Sequence, residues 1–256
     1  MTLGTVDTLR SETFLTEYLV PGRPVLVRGA LAGWRWAPPW DLTTLAERFG
    51  GLRVPLYDTL FALRGLSTFG DYVSRHTRAA WHDEPPYLRW FSRQGPERLP
   101  WADDAFAALV EDWSVPTFLP DSGYVFPHPA RAADPVRDSF PGKGIFVCGA
   151  GGRTRLHTDP WGSDACLCQA AGEKRVIMFP PAPGGFPLWR DARPAFDEIL
   201  EPGDAVYIPA GWCHTVLALS DSVSLTWNFV HQVHAGRFTR HLAEGGAEDA
   251  TVRYFR

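Results

Sequence analysis

His157 and Asp159 bracket a single threonine, and a second histidine, His214, opens a later apolar run. In an extended strand, side chains two residues apart share a face, about 7 Å apart along the chain. An imidazole nitrogen and a carboxylate oxygen can therefore converge on one ion from one strand. His214 follows the turn residues Pro209, Ala210 and Gly211 and fits as the third ligand. Two histidines and a carboxylate on one face of an octahedron leave three positions open, an arrangement suited to Fe(II) sites that take up a second ligand and O2. A zinc hydrolase fits less well, since the chain has no H-E-x-x-H glutamate. An H-x-D pair is common by chance, and alone it does not make a metal site.

Lys174 adds the second element. It opens the apolar run that ends at Phe179, just after the hairpin residues Ala171, Gly172 and Glu173. Inside the protein its ammonium would be a costly unpaired charge, unless a dianion shared the cavity. 2-Oxoglutarate meets that need: its keto-acid end chelates the metal, and its far carboxylate takes up the ammonium. An exposed lysine at the hairpin is the other reading. From Ser222 to Val230, Val223, Leu225, Trp227 and Phe229 alternate with Ser224, Thr226 and Asn228. One face is thus apolar and the other polar. An open sheet would turn the polar face to water, whereas a barrel holding a ligand would turn it inward. Thr226 and Asn228 then become candidates to hydrogen-bond the cosubstrate or the metal-bound species.

Strands and tight turns must position these groups. The pattern predicts strands over 144–148, 154–159, 165–171, 174–179, 205–208, 213–219 and 222–230, with turns at 149–153, 201–204 and 209–211. Such spacing indicates a sandwich or barrel. Upstream lie short strands at 23–29 and 54–57. Helices are expected at 41–50, capped by Asp41 and closed by Gly50, at 67–76 and at 102–113. A short helix is expected after His231. The fold class is mainly β with added α: a double-stranded β-helix or jelly-roll barrel with N-terminal helices packed outside. Residues 1–256 read as a single domain, with a 20–140 flank, a 141–232 core and a 233–256 tail.

Composition agrees. With 45% apolar and 21% charged residues the chain is folded, and its 11 Trp and 23 Pro suit a turn-rich barrel. A net charge of −4 disfavours a general nucleic-acid binder. The start of the chain lacks the basic and apolar regions of a secretion signal, and no apolar run reaches membrane-spanning length. A cytoplasmic protein with free thiols is expected. Cys166, Cys168 and Cys213 lack the paired spacing of a zinc site, so all four cysteines, Cys148 included, read as small buried hydrophobes. Trp34, Trp36, Trp40, Trp81 and Trp90 read first as core and second as the lining of a substrate groove.

Three ordered stretches, Thr154–Ser163, Gly172–Pro181 and Glu201–His214, resemble the JmjC (cupin-like) hydroxylases. Residues 23–30 and 40–50 look like that family's leader, and the resemblance covers most of 20–232. It implies a jelly-roll carrying Fe(II) and 2-oxoglutarate, with His157, Asp159 and His214 as metal ligands. It further implies that Lys174 pairs with the far carboxylate, joined by Thr154 and, on a looser match, by Tyr87. The implied activity couples oxidation of 2-oxoglutarate by O2 to hydroxylation, which reads as demethylation when the target is an N-methyl group. An amino-acid side chain of a protein or peptide is the favoured target, with a small molecule or natural product, or a non-catalytic cupin-like module, as alternatives. Relatives often dimerise through C-terminal helices, so a homodimer is open, although the tail here is short. One departure stands out: Leu167 occupies the place where members with this H-x-D spelling often carry an asparagine, and Asn228 is the candidate replacement.

Overall fold

The computed structural model describes residues 4–35, 40–77, 85–92, 99–126, 143–181 and 193–245. Its strands are β1 Thr5–Val6, β2 Val25–Val27, β3 Arg53–Tyr57, β4 Leu63–Thr68, β5 Tyr87–Phe91, β6 Tyr124–Phe126 and β7 Gly144–Cys148. They continue with β8 Asp164–Ala171, β9 Lys174–Phe179, β10 Phe196–Leu200, β11 Ala205–Ile208, β12 Cys213–Ala218 and β13 Ser222–His231. The α-helices are α1 Ser11–Phe14, α2 Leu42–Phe49, α3 Phe69–His76, α4 Asp103–Ala108 and α5 Ala235–Glu244.

The strands form two sheets. The larger runs β1-β2-β11-β8-β13-β7-β5-β3-β4, with β6 also paired to β13; the smaller runs β10-β9-β12. Strand periodicity divides the larger sheet into two faces. Ala165, Leu167, Val206 and Ile208 join Val176, Met178, Phe196 and Val216 of the smaller sheet in one apolar cluster between the sheets. Cys166, Cys168, Tyr207, Val223, Leu225, Trp227 and Phe229 face the other way, into a core shared with Phe14, Leu19, Leu45, Phe69 and Phe106. This is the jelly-roll with helices outside, as expected from the sequence. All ten residues of β13 are buried, so its polar face turns inward and not to water. The four cysteines are buried free thiols. No helix among the described residues is long and apolar enough to cross a membrane.

Local chemistry sets the boundaries. Asp41 caps α2 by accepting from the Thr43 and Thr44 amides at 2.9 and 3.0 Å. Thr68 caps α3 through Asp71 N at 3.2 Å, so that helix begins at Phe69 and not at 67. The expected helix over 102–113 is helical only at Asp103–Ala108. Strands β1, β4, β5, β6 and β10 escaped the periodicity reading because each is short or lacks clean alternation. Trp34, Trp40 and Trp90 belong to the core, while Trp36 and Trp81 lie outside the described residues.

Gly172 turns the chain between β8 and β9 at φ +68°, and a Cβ there would meet the Asp221 carbonyl oxygen at 2.0 Å. Gly172→Ala is therefore expected to destabilise the protein by about 1–3 kcal/mol. Urea unfolding of the pair of proteins would measure it, and an unchanged midpoint would contradict the steric account.

Candidate active site

The segment 154–159 was expected as a strand, but it is extended chain held by two bridges, Arg153 to Leu217 and His157 to His214. The reason is geometric: it leaves a glycine-rich turn and enters the turn at Pro160–Gly162, too short a run to build a ladder. The bridge nonetheless places the histidines. His157 N donates to His214 O at 3.0 Å, and His214 N donates back to His157 O at 2.7 Å. The rings end 4.2 Å apart between centroids. One ligand atom from each of His157, Asp159 and His214 lies within 4.8 Å of the others.

The three groups fit a metal ion. Each histidine has Nδ1 beside the carbonyl two residues earlier, Arg155 O at 2.7 Å and Trp212 O at 3.1 Å. Such contacts commit Nδ1–H and leave Nε2 as the free lone pair. Burial, followed by the neighbouring His214, pushes the His157 imidazole down to about 4 against the opposing pull of Asp159. It is therefore neutral near pH 7, the form that ligates. Asp159 Oδ2 is buried, has no hydrogen-bond partner among the described residues and lies 3.9 Å from His214 Nε2. An orphaned carboxylate oxygen is rare in a folded protein, and a cation between these atoms would satisfy it.

Lys174 is fully buried, which removes the exposed reading. Its Nζ donates to Tyr87 Oη at 2.9 Å and to Ser224 Oγ at 2.7 Å. Ser224 Oγ donates in turn to Gln169 Oε1 at 2.7 Å, and Gln169 is oriented by its amide donating to Ala171 O and Gly172 O. No carboxylate among the described residues pairs with the ammonium. Burial depresses its pKa below 10.5 and holds the Tyr87 phenol neutral, well above its ordinary range. Thr154 accepts at Oγ1 from Val216 N at 2.9 Å, which leaves its hydroxyl proton to donate elsewhere.

These groups surround one cavity of about 220 Å³ between the sheets. Tyr87, Thr154, His157, Asp159, His214, Thr226 and Asn228 all line it, as does Leu167. Lys174 stands behind, reached through Tyr87. Asn228 Nδ2 donates to Ser163 Oγ at 3.0 Å. Among the described residues the two non-glycines with positive φ are Phe61 (63°) and Trp161 (64°), and both line the cavity. Strain of this kind concentrates at functional sites. Beneath the site, fully buried Asp164 accepts from Tyr207 Oη, Ala210 N and His234 Nδ1, each at 2.9 Å. That cluster ties α5 to the turn delivering His214.

Sequence reading overlooked Ser224, Phe61 and Arg89. Ser224 was already visible in the β13 alternation. Arg89 was marked by its place two residues from Tyr87, and only the missed strand β5 hid it.

Comparison with known proteins agrees with the fold. The cupin-like domain profile matches residues 181–235. An arginine-specific demethylase, JMJ22 of Arabidopsis thaliana, is 24% identical over 93% of this chain and 48% of its own length. The 2-oxoglutarate and iron-dependent oxygenase JMJD4 of Gallus gallus is 22% identical over 88% of this chain and 60% of its own. Thus the chain spans between about half and three-fifths of these two relatives. Among solved structures, the Escherichia coli ribosomal oxygenase YcfD with cobalt and 2-oxoglutarate superposes with a TM-score of 0.54. It is 20% identical, with 96% of this chain and 57% of that one covered. A jelly-roll of two sheets, a His-Asp-His cluster between them and relatives matched along nearly the whole chain point the same way: the chain is similar to the cupin-like proteins of the JmjC type.

Proposed function

We propose that the chain is an Fe(II)- and 2-oxoglutarate-dependent dioxygenase that hydroxylates an amino-acid side chain of a protein or peptide. The carrying observation is the pairing of an orphaned Asp159 oxygen beside two Nε2-presenting histidines with a buried ammonium that has no carboxylate partner among the described residues. One group lacks a cation and the other lacks an anion, and a metal with a dicarboxylate supplies both. In this reading His157, Asp159 and His214 hold the iron, and Lys174, Tyr87 and Thr154 take the far carboxylate. Thr226 and Asn228 face the space between them. The relatives support the chemistry by name, as demethylases and oxygenases.

When bound, Fe(II) with 2-oxoglutarate and O2 supplies the oxidising power, yielding succinate and CO2 while one oxygen atom enters a C–H bond. The chain's own groups bind and orient. The Nδ1 contacts aim both imidazoles. The Gln169–Ser224 relay fixes the ammonium, leaving one of its three N–H bonds for an anion. Val216 N donates to Thr154 Oγ1, which leaves the hydroxyl proton free for another acceptor. Phe91, Phe146, Leu167 and Ile208 give the cavity apolar walls, which disfavour water beside the reacting groups. The site draws on the 20–140 flank through Tyr87 and on the 141–232 core through the triad, which supports reading 1–256 as one domain.

The test is direct. Anaerobic addition of Fe(II) and 2-oxoglutarate is expected to give a weak visible charge-transfer band, and aerobic mixing should release succinate. Peptides incubated with the protein should gain one oxygen by mass spectrometry. A protein that binds neither metal nor 2-oxoglutarate would be a binding module, and one turning over without 2-oxoglutarate would be a different enzyme.

A further inference from the structure

Arg89 is a fully buried guanidinium that the groups above leave unused. On β5 it lies between Tyr87 and Phe91, and the two-residue period puts all three on one face. Its neighbours on that face both line the cavity. The guanidinium carbon sits 3.9 Å from the Phe61 ring centroid and 4.6 Å from that of Tyr87. Phe61 in turn packs against His157, with 4.7 Å between ring centroids. Arg89 is thus one aromatic ring away from the ligand cluster.

Its hydrogen bonds are incomplete on one side. Nη1 donates to Asp58 O at 3.0 Å, but Nε and Nη2 are buried and have no hydrogen-bond partner among the described residues. Those two nitrogens share an edge of the planar group, where parallel N–H bonds match the two oxygens of a carboxylate. Arginine does not shed its proton in a protein, so the fold carries a fixed positive charge with an open, carboxylate-shaped edge. The Asp58 carboxylate does not fill it. That group accepts from Leu60 N and Ala62 N and pairs with Arg64 at 3.0 Å.

We propose that Arg89 anchors a carboxylate of the prime substrate, making that substrate an acidic peptide. The inference deepens the oxygenase reading and rests on it for the chemistry that follows binding. Lys174 already provides a cation for the far carboxylate of 2-oxoglutarate, and a second buried cation matches a second anion. Both cations pack on Tyr87, with Lys174 Nζ at 5.4 Å from its ring centroid. Tyr87 therefore separates the two anion positions. The open edge is buried, so an entering carboxylate needs neighbouring side chains to move, and the Phe61 ring against the guanidinium is the exposed one. That ring is 40% exposed and stands on a turn held at positive φ.

The experiment uses the whole, metal-free protein and short capped peptides differing at one position, Asp against Asn and Glu against Gln. A third probe is an alanine peptide with a free C-terminal carboxylate, and 2-oxoglutarate is the fourth. Tryptophan fluorescence titration should show at least one acid probe binding about tenfold or more tighter than its amide counterpart or capped form. Which probe wins distinguishes a side-chain from a terminal carboxylate. Arg89→Met should remove that preference while changing 2-oxoglutarate affinity by less than about twofold. Arg89→Lys, which keeps the charge and loses the fork, should lose about threefold and decides the matter if the methionine variant fails to fold. The proposal is overturned if wild type shows no acid preference or if the preference survives both variants. It is equally overturned if 2-oxoglutarate affinity falls along with it, since Arg89 would then serve the cosubstrate. Binding is read without metal or O2, so absence of succinate formation would sink the oxygenase reading while leaving the anchor standing.

Discussion

Asp159→Ala is expected to reduce Fe(II)-dependent succinate formation by at least about a hundredfold, the upper end of what losing a mere supporting partner costs at a metal site. The substitution deletes the single carboxylate of the cluster and leaves two imidazoles with ring centroids 4.2 Å apart. It should cost the fold little. Among the described residues Asp159 Oδ2 makes no hydrogen bond, and His214 Nε2 stands 3.9 Å away. Unfolding free energy of the metal-free variant is therefore expected within about 0.5 kcal/mol of wild type. Anaerobic iron titration, succinate release and urea denaturation on the same preparation separate these effects. Retained turnover would remove Asp159 from the ligand set.

Lys174→Met carries the second large effect, in two opposite directions. The ammonium is fully buried and, among the described residues, donates only to neutral oxygens, Tyr87 Oη and Ser224 Oγ. Without a bound anion its desolvation is uncompensated, so the metal- and cosubstrate-free variant should be more stable than wild type by about 1 kcal/mol or more. In a chain of this length that raises the melting temperature by about 2–4 °C per kcal/mol. Meanwhile the 2-oxoglutarate requirement should rise by about a hundredfold, since one partner of a buried charge pair is gone. Burial sets the folded pKa of Lys174 below its usual 10.5. Between those values the unfolded chain holds more protons than the folded one, so stability rises with pH. The wild-type deficit is full below the folded value and vanishes as pH approaches 10.5, and Lys174→Met should lack that slope. Equal stability of the two proteins at neutral pH, with an unchanged 2-oxoglutarate requirement, would place the ammonium outside the site.

Much of the site was legible from residue types. His157, Asp159 and His214 were marked by spacing and by the turn before His214. Lys174 was marked by its position in an apolar run, and the β13 alternation already predicted a polar face. Its direction was less secure, because an identical alternation suits an open sheet with one wet side. The smaller sheet decided it by covering Thr226 and Asn228. The error over 154–159 has the same origin. Extended backbone has one local signature whether or not a neighbour completes its ladder, and here only single bridges do.

Local pattern by itself determined the chemistry available to this protein: two imidazoles, a carboxylate, an ammonium and strands able to turn them inward. Tertiary structure alone decided which of them meet. Lys174 reaches Tyr87 across 87 positions and Ser224 across 50, separations at which no periodicity can signal contact. It also decided that Arg89 is sealed among aromatic rings with one edge unspent. Whether a charge is solvated or buried is a property of everything folded around it, and a charged residue in a short strand looks alike in both cases.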